Sequence, residues 1–331
     1  MKIAINGFGR IGRIFLRHAI KEPELEIVAL NDLGDAKTMA HLLKYDSVFG
    51  RFDGTIECTE NEIKINGKPI KVFSERDPEK LPWKKLGIDI VLESTGAFRD
   101  SERAGKHLKA GAKRVVLSAP PKGDDIKQIV MGVNQNILTE EDLIVSNASC
   151  TTNSLAPIAK ILNDAFGIEK GVITTIHAYT GDQRLVDSPH SDLRRARAAA
   201  ANIIPTTTGA AKAVTKVIPE LKGKLDGISV RVPVPCGSVT DFSAWLEKEV
   251  TVEEVNEAVK KHCCTDMGCY VEYSEEELVS SDIIGNTHSS IFDSKQTMVN
   301  GKLVKMLCWY DNETGYSRRL IDLMKFMGAK K

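Results

Sequence analysis

Cys150 has the surroundings of a reactive thiol rather than those of a packing residue. It lies in the polar segment Ser149–Asn153, between a predicted strand, Leu143–Ser146, and a predicted helix, Thr151–Phe166. A helix N-terminus lowers the pKa of a thiol and offers backbone N–H groups to a developing oxyanion. We therefore predict that Cys150 is a catalytic nucleophile. We expect the six other cysteines to be buried and inert, namely Cys58, Cys236, Cys263, Cys264, Cys269 and Cys308.

His177 is the candidate general base for this thiol. It follows the apolar segment Val172–Ile176 and precedes the polar turn Ala178–Asp182. Catalytic groups are often found where a strand ends at the edge of a cleft. On composition alone the six other histidines are nearly as plausible, and most histidines are surface or core residues. The pairing of His177 with Cys150 is thus a hypothesis that sequence distance cannot test.

A glycine-rich turn near the start of the chain has the spacing of a dinucleotide-binding motif. Gly7, Gly9 and Gly12 form G-x-G-x-x-G directly after the predicted strand Lys2–Asn6. Such glycines allow a tight turn and close approach of the backbone to a pyrophosphate, which the following helix N-terminus attracts. Asp32 ends the next predicted strand, where a carboxylate binds the adenosine ribose and repels a 2′-phosphate. The pattern favours NAD; the alternatives are a structural glycine turn and a capping role for Asp32.

Two further regions carry residues suited to binding anions. Pro205–Ala211, which includes Thr208 and Gly209, leads into a predicted helix and offers hydroxyl and N–H groups to a phosphate. Arginines are concentrated at Arg194–Arg197, and Arg231 lies in an otherwise apolar strand, where an unpaired guanidinium is costly. The alternatives are helix capping by Thr208 and ion pairing of the arginines with Asp182, Asp187 and Asp192.

The elements that position these residues follow two patterns. Before about residue 150, short apolar strands alternate with helical periodicity, which predicts a parallel sheet with helices on both faces. Beyond it, strands with partial alternation predict a mixed or antiparallel sheet. We expect an α/β protein with an N-terminal Rossmann doubly wound sheet and an α+β catalytic domain. The strands are predicted at Lys2–Asn6, Ile27–Asn31, Ile88–Glu93, Arg114–Leu117, Leu143–Ser146, Val172–Ala178, Ile228–Pro233, Val239–Glu247, Ile291–Phe292 and Leu303–Tyr310.

Composition excludes several classes of protein. The 331 residues include 45 lysines and arginines against 45 aspartates and glutamates, which argues against a basic nucleic-acid-binding or membrane-surface protein. No apolar run reaches membrane-spanning length. Seven cysteines, an odd number, favour reduced thiols in the cytoplasm. His262, Cys263, Cys264 and Cys269 lack a second ligand pair at zinc-like spacing, so no metal is predicted.

Four segments together carry a family resemblance that covers nearly the whole chain. They are Asn6–Arg13, Ser146–Asn153, His177–Thr180 and Trp309–Glu313. Through them the chain resembles glyceraldehyde-3-phosphate dehydrogenases of the phosphorylating, glycolytic type. The resemblance implies a homotetramer that converts D-glyceraldehyde 3-phosphate, inorganic phosphate and NAD⁺ to 1,3-bisphosphoglycerate and NADH through a cysteine hemithioacetal and thioester. It also implies an NAD-binding domain over residues 1–149, completed by a C-terminal helix at 315–331, and a catalytic domain over 150–314.

The resemblance assigns roles to individual residues of this sequence. Cys150 is the expected nucleophile and His177 the expected base. The family's site for the substrate phosphate matches Thr180, Asp182 and Arg231. Its site for the attacking phosphate matches Ser149, Thr151, Thr208 and Gly209, and Arg195 matches a further phosphate contact. The family's contacts to the cofactor match the turn residues Gly7, Gly9 and Gly12, with Arg10 and Ile11 at the pyrophosphate and Asp32 at the ribose. Further contacts match Arg76, Thr95 and Ser118 along the nucleotide, and Asn312 and Tyr316 at the nicotinamide. Residues 184–202 match a loop that reaches a neighbouring subunit's cofactor site.

Two departures from the family pattern leave alternatives open. Cys236 stands where asparagine is usual, and Ser188 stands where leucine is common. Serine near the second position accompanies NADP use in some photosynthetic relatives, although Asp32 and Pro189 favour NAD. The alternative functions are an erythrose-4-phosphate dehydrogenase, which shares the fold and the catalytic pair, and a non-catalytic NAD-binding protein of the same fold.

Overall fold

The computed structural model describes residues 1–329, and the first sheet within this range carries the glycine-rich turn. Its strands are β1 (Lys2–Asn6), β2 (Glu26–Asn31), β3 (Ile56–Cys58), β4 (Glu62–Ile65), β5 (Lys68–Phe73), β6 (Ile90–Glu93), β7 (Arg114–Leu117), β8 (Lys127–Gln128) and β9 (Ile144–Ser146). They lie in the order β3-β4-β5-β2-β1-β6-β7-β9-β8. From β5 to β8 every neighbouring pair is parallel, which confirms the predicted doubly wound sheet.

The antiparallel edge formed by β3, β4 and β5 was not predicted from the sequence. These strands are short, and the alternation in β4 buries only Ile63 and Ile65. Asn66 and Gly67 join β4 to β5 with φ angles of 49° and 79°. An Asn-Gly pair favours this left-handed turn geometry, so the dipeptide was an available signal for the hairpin.

The second sheet contains the strand that carries His177. Its strands are β10 (Ile168–Ala178), β11 (Ile204–Thr207), β12 (Leu225–Val232), β13 (Ser238–Leu246), β14 (Val271–Ser274), β15 (Ser290–Asn300) and β16 (Leu303–Tyr310). They lie in the order β11-β12-β10-β13-β16-β15-β14. The pairs β10 with β12 and β14 with β15 are parallel and the other pairs are antiparallel, so the predicted mixed sheet is confirmed.

The helices include the one predicted at Thr151–Phe166, which begins one residue earlier, at Cys150. They are α1 (Arg10–Ala19), α2 (Ala36–Lys44), α3 (Trp83–Leu86), α4 (Ser101–Lys109), α5 (Cys150–Phe166), α6 (Ala210–Val217), α7 (Val252–Cys263) and α8 (Thr314–Ala329). The side chain of Thr251 caps α7 in a capping box with Glu254, in which each group accepts a backbone N–H of the other. None of the helices in residues 1–329 is long and apolar enough to cross a membrane.

The chain divides into two compact units. The first comprises Met1–Ile129, Gln135–Ala148 and the residues from Ser317 onward, and the second comprises Val130–Asn134 and Ser149–Tyr316. The C-terminal helix therefore contributes most of its length to the first unit. Residues 330 and 331, the end of the segment expected to complete the NAD-binding domain, lie outside the described residues.

Candidate active site

Cys150 is the first residue of α5, and the turn before this helix is unusually tight. Ser149 caps the helix by accepting the Thr152 N–H at 3.1 Å. Ala148 has a φ of 53°, in the left-handed region that residues other than glycine rarely adopt. This strained turn fixes the direction in which Cys150 leaves the helix start. Local backbone strain of this kind is often retained where it orients a reacting group.

The thiol of Cys150 and the imidazole of His177 lie within hydrogen-bond distance. His177 is next to the end of β10, and its Nε2 is 3.3 Å from Cys150 Sγ. The other ring nitrogen, Nδ1, is 2.7 Å from the carbonyl oxygen of Ala178. A carbonyl oxygen can only accept, so this contact places the proton on Nδ1 and leaves the Nε2 lone pair facing the thiol. The imidazole is thus oriented to take a proton from Cys150.

Burial controls the protonation of this pair. It raises the pKa of Cys150, and the Arg231 charge, the Thr151 hydroxyl and the backbone N–H groups of Thr151 and Cys150 only partly offset it. The sequence-based prediction of a lowered pKa for Cys150 is therefore wrong. The backbone N–H groups at the helix start do lower this pKa, but burial raises it by more. Burial and the Arg231 charge also lower the pKa of His177 to about 3. The proton consequently rests on sulfur, and its transfer to Nε2 creates two opposite charges that stabilise each other.

Arg231 lies beside His177 on the neighbouring strand. The two residues are register partners in the parallel pair β10 and β12. One guanidinium nitrogen of Arg231, Nη1, donates at 3.1 Å to the carbonyl of Ala178, which also accepts from His177 Nδ1, so these two donor nitrogens lie 3.0 Å apart because they share one acceptor. The Nε of Arg231 is buried without a hydrogen-bond partner, and no carboxylate in residues 1–329 lies within salt-bridge distance. Arg231 is half-buried, and a cation in such a place with an unused donor is suited to binding an anion.

The arginine cluster behaves differently, because nearby carboxylates pair with it. Arg195 pairs with Asp182 and donates from Nε to the Thr206 hydroxyl at 3.0 Å. Arg197 pairs with Asp187 at 2.8 Å. The alternative of ion pairing is thus confirmed for both arginines. Arg195 still has neighbours suited to an anion site, since it lies against the segment that precedes α6.

The hydroxyl groups expected at the phosphate sites are held by local hydrogen bonds. Ser149 Oγ lies 2.7 Å from Thr152 Oγ1, and Thr151 Oγ1 lies 2.9 Å from the hydroxyl of Tyr310. Thr208 Oγ1 accepts the Ala210 N–H at 3.2 Å, beside Gly209 at the start of α6. The Thr180 N–H donates to Gln183 at 3.2 Å. Each segment has a defined conformation before any anion binds.

Tyr310 belongs to this site although no role was predicted for it. Its hydroxyl joins Thr151 to Thr175, which lies 2.7 Å away, and its ring meets the His177 ring edge-on with centroids 5.9 Å apart. The signal was available, because Tyr310 ends an alternating strand and lies within Trp309–Glu313, one of the segments that carry the family resemblance. Both rings are buried, so Tyr310 packs against the imidazole within the core of the second unit.

The glycine-rich turn borders a cleft of about 480 Å³ in the first unit. A Cβ on Gly7, whose φ is 94°, would lie 2.5 Å from the Thr95 nitrogen, and one on Gly12 would lie 2.3 Å from the Gly7 oxygen. A Cβ on Gly9 would instead enter open space. Gly7 and Gly12 therefore keep the turn tight, and Gly9 leaves room for a ligand to approach the backbone. The lining residues are Asn6, Gly7, Gly9, Asn31, Asp32, Leu33, Glu75, Arg76, Ser94, Thr95, Ala97 and Phe98.

The residues of this cleft fit a dinucleotide without a 2′-phosphate. Asp32 accepts the Phe8 N–H at 2.6 Å and the Gly34 N–H at 3.1 Å, so its carboxylate is fixed and keeps lone pairs for ribose hydroxyls. Arg10 pairs with Asp46 at the start of α1, where Ile11 follows it. Arg76 and Thr95 line the cleft, whereas Ser118 follows β7 and donates its N–H to the backbone carbonyl of Glu93 at 2.9 Å.

The two residues expected at the nicotinamide, Asn312 and Tyr316, belong to the second unit. The side-chain oxygen of Asn312 accepts the Gly237 N–H at 3.2 Å and the Ser238 hydroxyl at 2.9 Å. These donors fix the amide orientation, so its NH₂ group points away from them. Cys236, one of the two departures from the family pattern, donates to Asp311 at 3.2 Å, and burial raises the pKa of its thiol. The substitution is accommodated by a hydrogen bond in the loop that holds Asn312.

The other cysteines differ from the prediction in their exposure. Cys308 is buried as expected, and burial raises the pKa of its thiol to about 12. Cys263 is half-buried with a pKa raised to about 11. Cys58, Cys264 and Cys269 are exposed, so the expectation that all six are buried is wrong. Among the side chains that the structure describes, which do not include that of Asp266, no group of three or more histidine, cysteine, aspartate or glutamate residues could hold a metal ion.

Comparison with known proteins places the whole chain in one family. Residues 1–101 match the model of the glyceraldehyde 3-phosphate dehydrogenase NAD binding domain, and residues 149–312 match that of the glyceraldehyde 3-phosphate dehydrogenase C-terminal domain. The glyceraldehyde-3-phosphate dehydrogenase of Geobacillus stearothermophilus is 58% identical over 332 positions, covering 100% of this chain and 99% of that protein. That of Clostridium pasteurianum is 56% identical, covering 98% of each. Glyceraldehyde-3-phosphate dehydrogenase 1 of Bacillus subtilis is 55% identical, covering 100% and 99%.

A Rossmann unit that binds NAD, followed by a unit in which a thiol and an imidazole are paired, defines an NAD-dependent dehydrogenase. The family match and the full-length relatives then specify which dehydrogenase this is. The chain belongs to the glyceraldehyde-3-phosphate dehydrogenase family.

Proposed function

We propose that this chain catalyses the phosphorylating oxidation of D-glyceraldehyde 3-phosphate to 1,3-bisphosphoglycerate in glycolysis, with reduction of NAD. The observation that carries the proposal is the 3.3 Å contact between Cys150 Sγ and the unprotonated Nε2 of His177, with Arg231 beside it. This arrangement supplies a nucleophile, a base and an anion-binding group in one place. It occurs in a chain that resembles glyceraldehyde-3-phosphate dehydrogenases throughout its length.

Cys150 and His177 carry out the oxidative half of the reaction. His177 Nε2 takes the thiol proton as sulfur attacks the aldehyde carbon and returns it to the former carbonyl oxygen, which gives a hemithioacetal bound to Cys150 and a neutral imidazole. As general base, His177 then removes the hemithioacetal hydroxyl proton when the carbon is oxidised. NAD, when bound, supplies the hydride acceptor for this step. The backbone N–H groups at the start of α5 are placed to stabilise the developing oxyanion, and the product is a thioester on Cys150.

Phosphate-binding residues carry out the second half. Inorganic phosphate attacks the thioester carbonyl, the carbon–sulfur bond breaks, and Cys150 leaves as the thiolate. We assign the substrate phosphate to Thr180, Asp182 and Arg231, with Arg231 as the principal cation because no carboxylate in the described chain neutralises it. We assign the attacking phosphate to Ser149, Thr151, Thr208 and Gly209, next to the helix starts that attract anions, and Arg195 to a further contact.

The cofactor assignment follows the cleft of the first unit. Asp32 binds the adenosine ribose, and the turn formed by Gly7, Gly9 and Gly12 approaches the pyrophosphate. Arg10 and Ile11 at the start of α1 complete the pyrophosphate site. Arg76, Thr95 and Ser118 contact the rest of the nucleotide, and Asn312 and Tyr316 contact the nicotinamide.

A stopped-flow assay of NADH formation tests the proposed function. With glyceraldehyde 3-phosphate but no phosphate, we expect a burst of up to one NADH per subunit, because the thioester cannot be released efficiently. Addition of inorganic phosphate is expected to convert the burst into steady turnover. Steady turnover that does not need phosphate would contradict the acyl-transfer step. A higher kcat/KM for erythrose 4-phosphate than for glyceraldehyde 3-phosphate would contradict the assigned substrate.

The exposed face of the second sheet supports assembly into a homotetramer. Val172, Ile228 and Met298 are 61%, 51% and 61% exposed, and strand register places them on one face with Trp245 and Leu303. Exposed apolar side chains that share one face of a sheet are typical of a protein interface. Sedimentation velocity is expected to give a species of about four times the chain mass of 36.4 kDa. A protein that sediments as a monomer at micromolar concentration would contradict this assembly.

The same reaction and the state of the thiols support a cytoplasmic location. All seven cysteines are free in the structure. Unpaired thiols, including a nucleophilic one, persist in a reducing compartment. The cytoplasm is also where glycolysis takes place.

A further inference from the structure

A buried polar network lies directly behind the dinucleotide cleft and is not explained by the assignments above. Its centre is Glu93, the last residue of β6, which is only 2% exposed. One carboxylate oxygen, Oε2, accepts from Asn6 Nδ2 at 2.5 Å and from His107 Nε2 at 3.0 Å. These two donor nitrogens are 3.3 Å apart because both converge on that oxygen. The other oxygen, Oε1, accepts the N–H of Thr95 at 2.8 Å and the Thr95 hydroxyl.

The protonation of His107 in this network is fixed by Trp83. The indole Nε1–H of Trp83 lies 3.0 Å from His107 Nδ1. An indole nitrogen only donates, so Nδ1 of His107 must be the acceptor and its proton must be on Nε2. The imidazole is therefore neutral and donates to Glu93. In residues 1–329 no lysine or arginine lies within salt-bridge distance of Glu93, so these hydrogen bonds are what stabilise the buried carboxylate.

The network reaches the wall of the cleft through Thr95. The Thr95 hydroxyl donates to Glu93 and accepts the Ala97 N–H at 3.0 Å, so both of its hydrogen-bonding directions are defined. Thr95, Ala97 and Phe98 all line the cleft. Phe98 also packs edge-on against the His107 ring, with centroids 6.3 Å apart and an interplanar angle of 71°. His107 thus supports this wall through one hydrogen-bonded route and one packing route.

A second route runs through the asparagines of β1 and β2. Asn6, which donates to Glu93, accepts from Asn31 Nδ2 at 2.7 Å. Asn31 in turn accepts the Glu75 N–H and donates to the Glu75 carbonyl, both at 2.9 Å. Glu75 precedes Arg76 on the facing wall of the cleft. One carboxylate therefore connects both walls.

We infer that His107 and Trp83 are positioning residues for the cofactor: they hold Glu93 in the orientation that fixes Thr95 and, through the asparagines, the segment before Arg76. The inference rests on the proposed function in taking NAD as the ligand of this cleft. Neither residue lines the cleft itself, so their effect on NAD passes through Glu93 and Phe98.

The first test replaces His107 with leucine and measures NAD binding by titration calorimetry on the full-length protein. We expect the Kd for NAD to rise about tenfold, because one hydrogen bond to the buried carboxylate is lost. The KM for glyceraldehyde 3-phosphate is expected to change by less than about twofold, because its proposed contacts lie in the second unit. A Kd for NAD within twofold of the parent value, or equal rises in both constants, would overturn the inference.

The second test uses the direction of the hydrogen bonds, to which a purely structural role is insensitive. In Glu93→Gln, the new amide NH₂ faces His107 Nε2–H, and the imidazole cannot switch tautomer while Trp83 donates to Nδ1. Removing that donor in Trp83→Phe/Glu93→Gln lets the ring move its proton to Nδ1 and accept from the glutamine. We therefore expect the double variant to bind NAD more tightly than Glu93→Gln alone. Binding that is equal or weaker in the double variant would overturn the inference.

A matched substitution and a binding readout keep these results interpretable. Trp309→Phe, like His107→Leu, removes a ring N–H donor to a buried carboxylate, since Trp309 Nε1 donates to Asp293 at 3.1 Å in the second unit. Its Kd for NAD is expected to equal that of the parent, and a rise similar to that in His107→Leu would overturn the inference. Calorimetry requires no turnover, so a parent that binds NAD but lacks phosphate-dependent NADH formation refutes the proposed function without affecting this test.

Discussion

Replacement of Cys150 by serine is expected to abolish phosphate-dependent NADH formation while NAD still binds. Burial raises the pKa even of the thiol, and a serine hydroxyl in the same place is a far weaker acid and a poorer nucleophile. Loss of covalent catalysis is expected to lower kcat by about 10⁴-fold or more. Stopped-flow absorbance measures the NADH burst, and mass spectrometry of the quenched enzyme measures the acyl adduct. Both signals are expected to vanish, with the Kd for NAD within about twofold of the parent.

The control for this variant is Cys58→Ser. Cys58 is also free but is exposed on β3, far along the sheet from the glycine-rich turn, so its replacement is expected to leave turnover unchanged. Substantial phosphate-dependent turnover by Cys150→Ser would contradict the covalent mechanism. Loss of NAD binding together with turnover would instead indicate that the serine variant has a disturbed fold.

Much of the arrangement around the catalytic pair was predictable, because local patterns determine it. The polar segment around Cys150 and the apolar run before His177 predicted a helix start and a strand end, and these are the elements that carry the two residues. That the two side chains meet at 3.3 Å was not predictable from spacing, since 27 positions separate them and the β10 register decides the outcome. The family resemblance supplied the pairing that periodicity could not.

The sequence pattern could not predict how deeply a side chain is buried, and burial outweighs the nearby charges in setting the pKa of Cys150. A helix start argues for a lowered thiol pKa, yet the depth of Cys150 reverses the net effect. Three cysteines expected in the core are exposed, because a lone cysteine in a short strand or loop carries no periodic signal. The network of Glu93, His107 and Trp83 was also invisible, since its members lie far apart in sequence and meet only through the packing of β6, α4 and α3.

The ion pairs of the structure separate two kinds of arginine that look alike in the sequence. Arg195 and Arg197 are paired with carboxylates on the same surface, so their charge is largely compensated before any ligand binds. Arg231 has no such partner in the described chain, and its charge acts on the catalytic pair by lowering the pKa values of both Cys150 and His177. Zero net charge over the whole chain thus coexists with a local positive charge at the catalytic pair.

Replacement of His177 by asparagine is expected to slow hydride transfer by about 10²- to 10⁴-fold, the usual loss when a positioned general base is removed. The pKa of His177 is about 3, so the parent imidazole is neutral across pH 5–9 and Nε2 is free to accept. Without it, the proton of Cys150 has no acceptor at 3.3 Å, and burial continues to oppose the thiolate. Alkylation by iodoacetamide is therefore expected to slow at pH 7 and to recover only at higher pH.

The isotope effect distinguishes loss of the base from general disruption. With substrate deuterated at the aldehyde carbon, His177→Asn is expected to show a primary isotope effect on the NADH burst, because hydride transfer becomes the slow step. His262→Asn is the matched control, since His262 Nδ1 likewise lies 2.7 Å from a backbone carbonyl, that of Ala258, but serves no proposed catalytic role. Its burst rate and alkylation profile are expected to equal those of the parent. Unchanged alkylation of His177→Asn at neutral pH would show that His177 does not activate Cys150, and the thiol would then depend on Arg231 and the helix start alone.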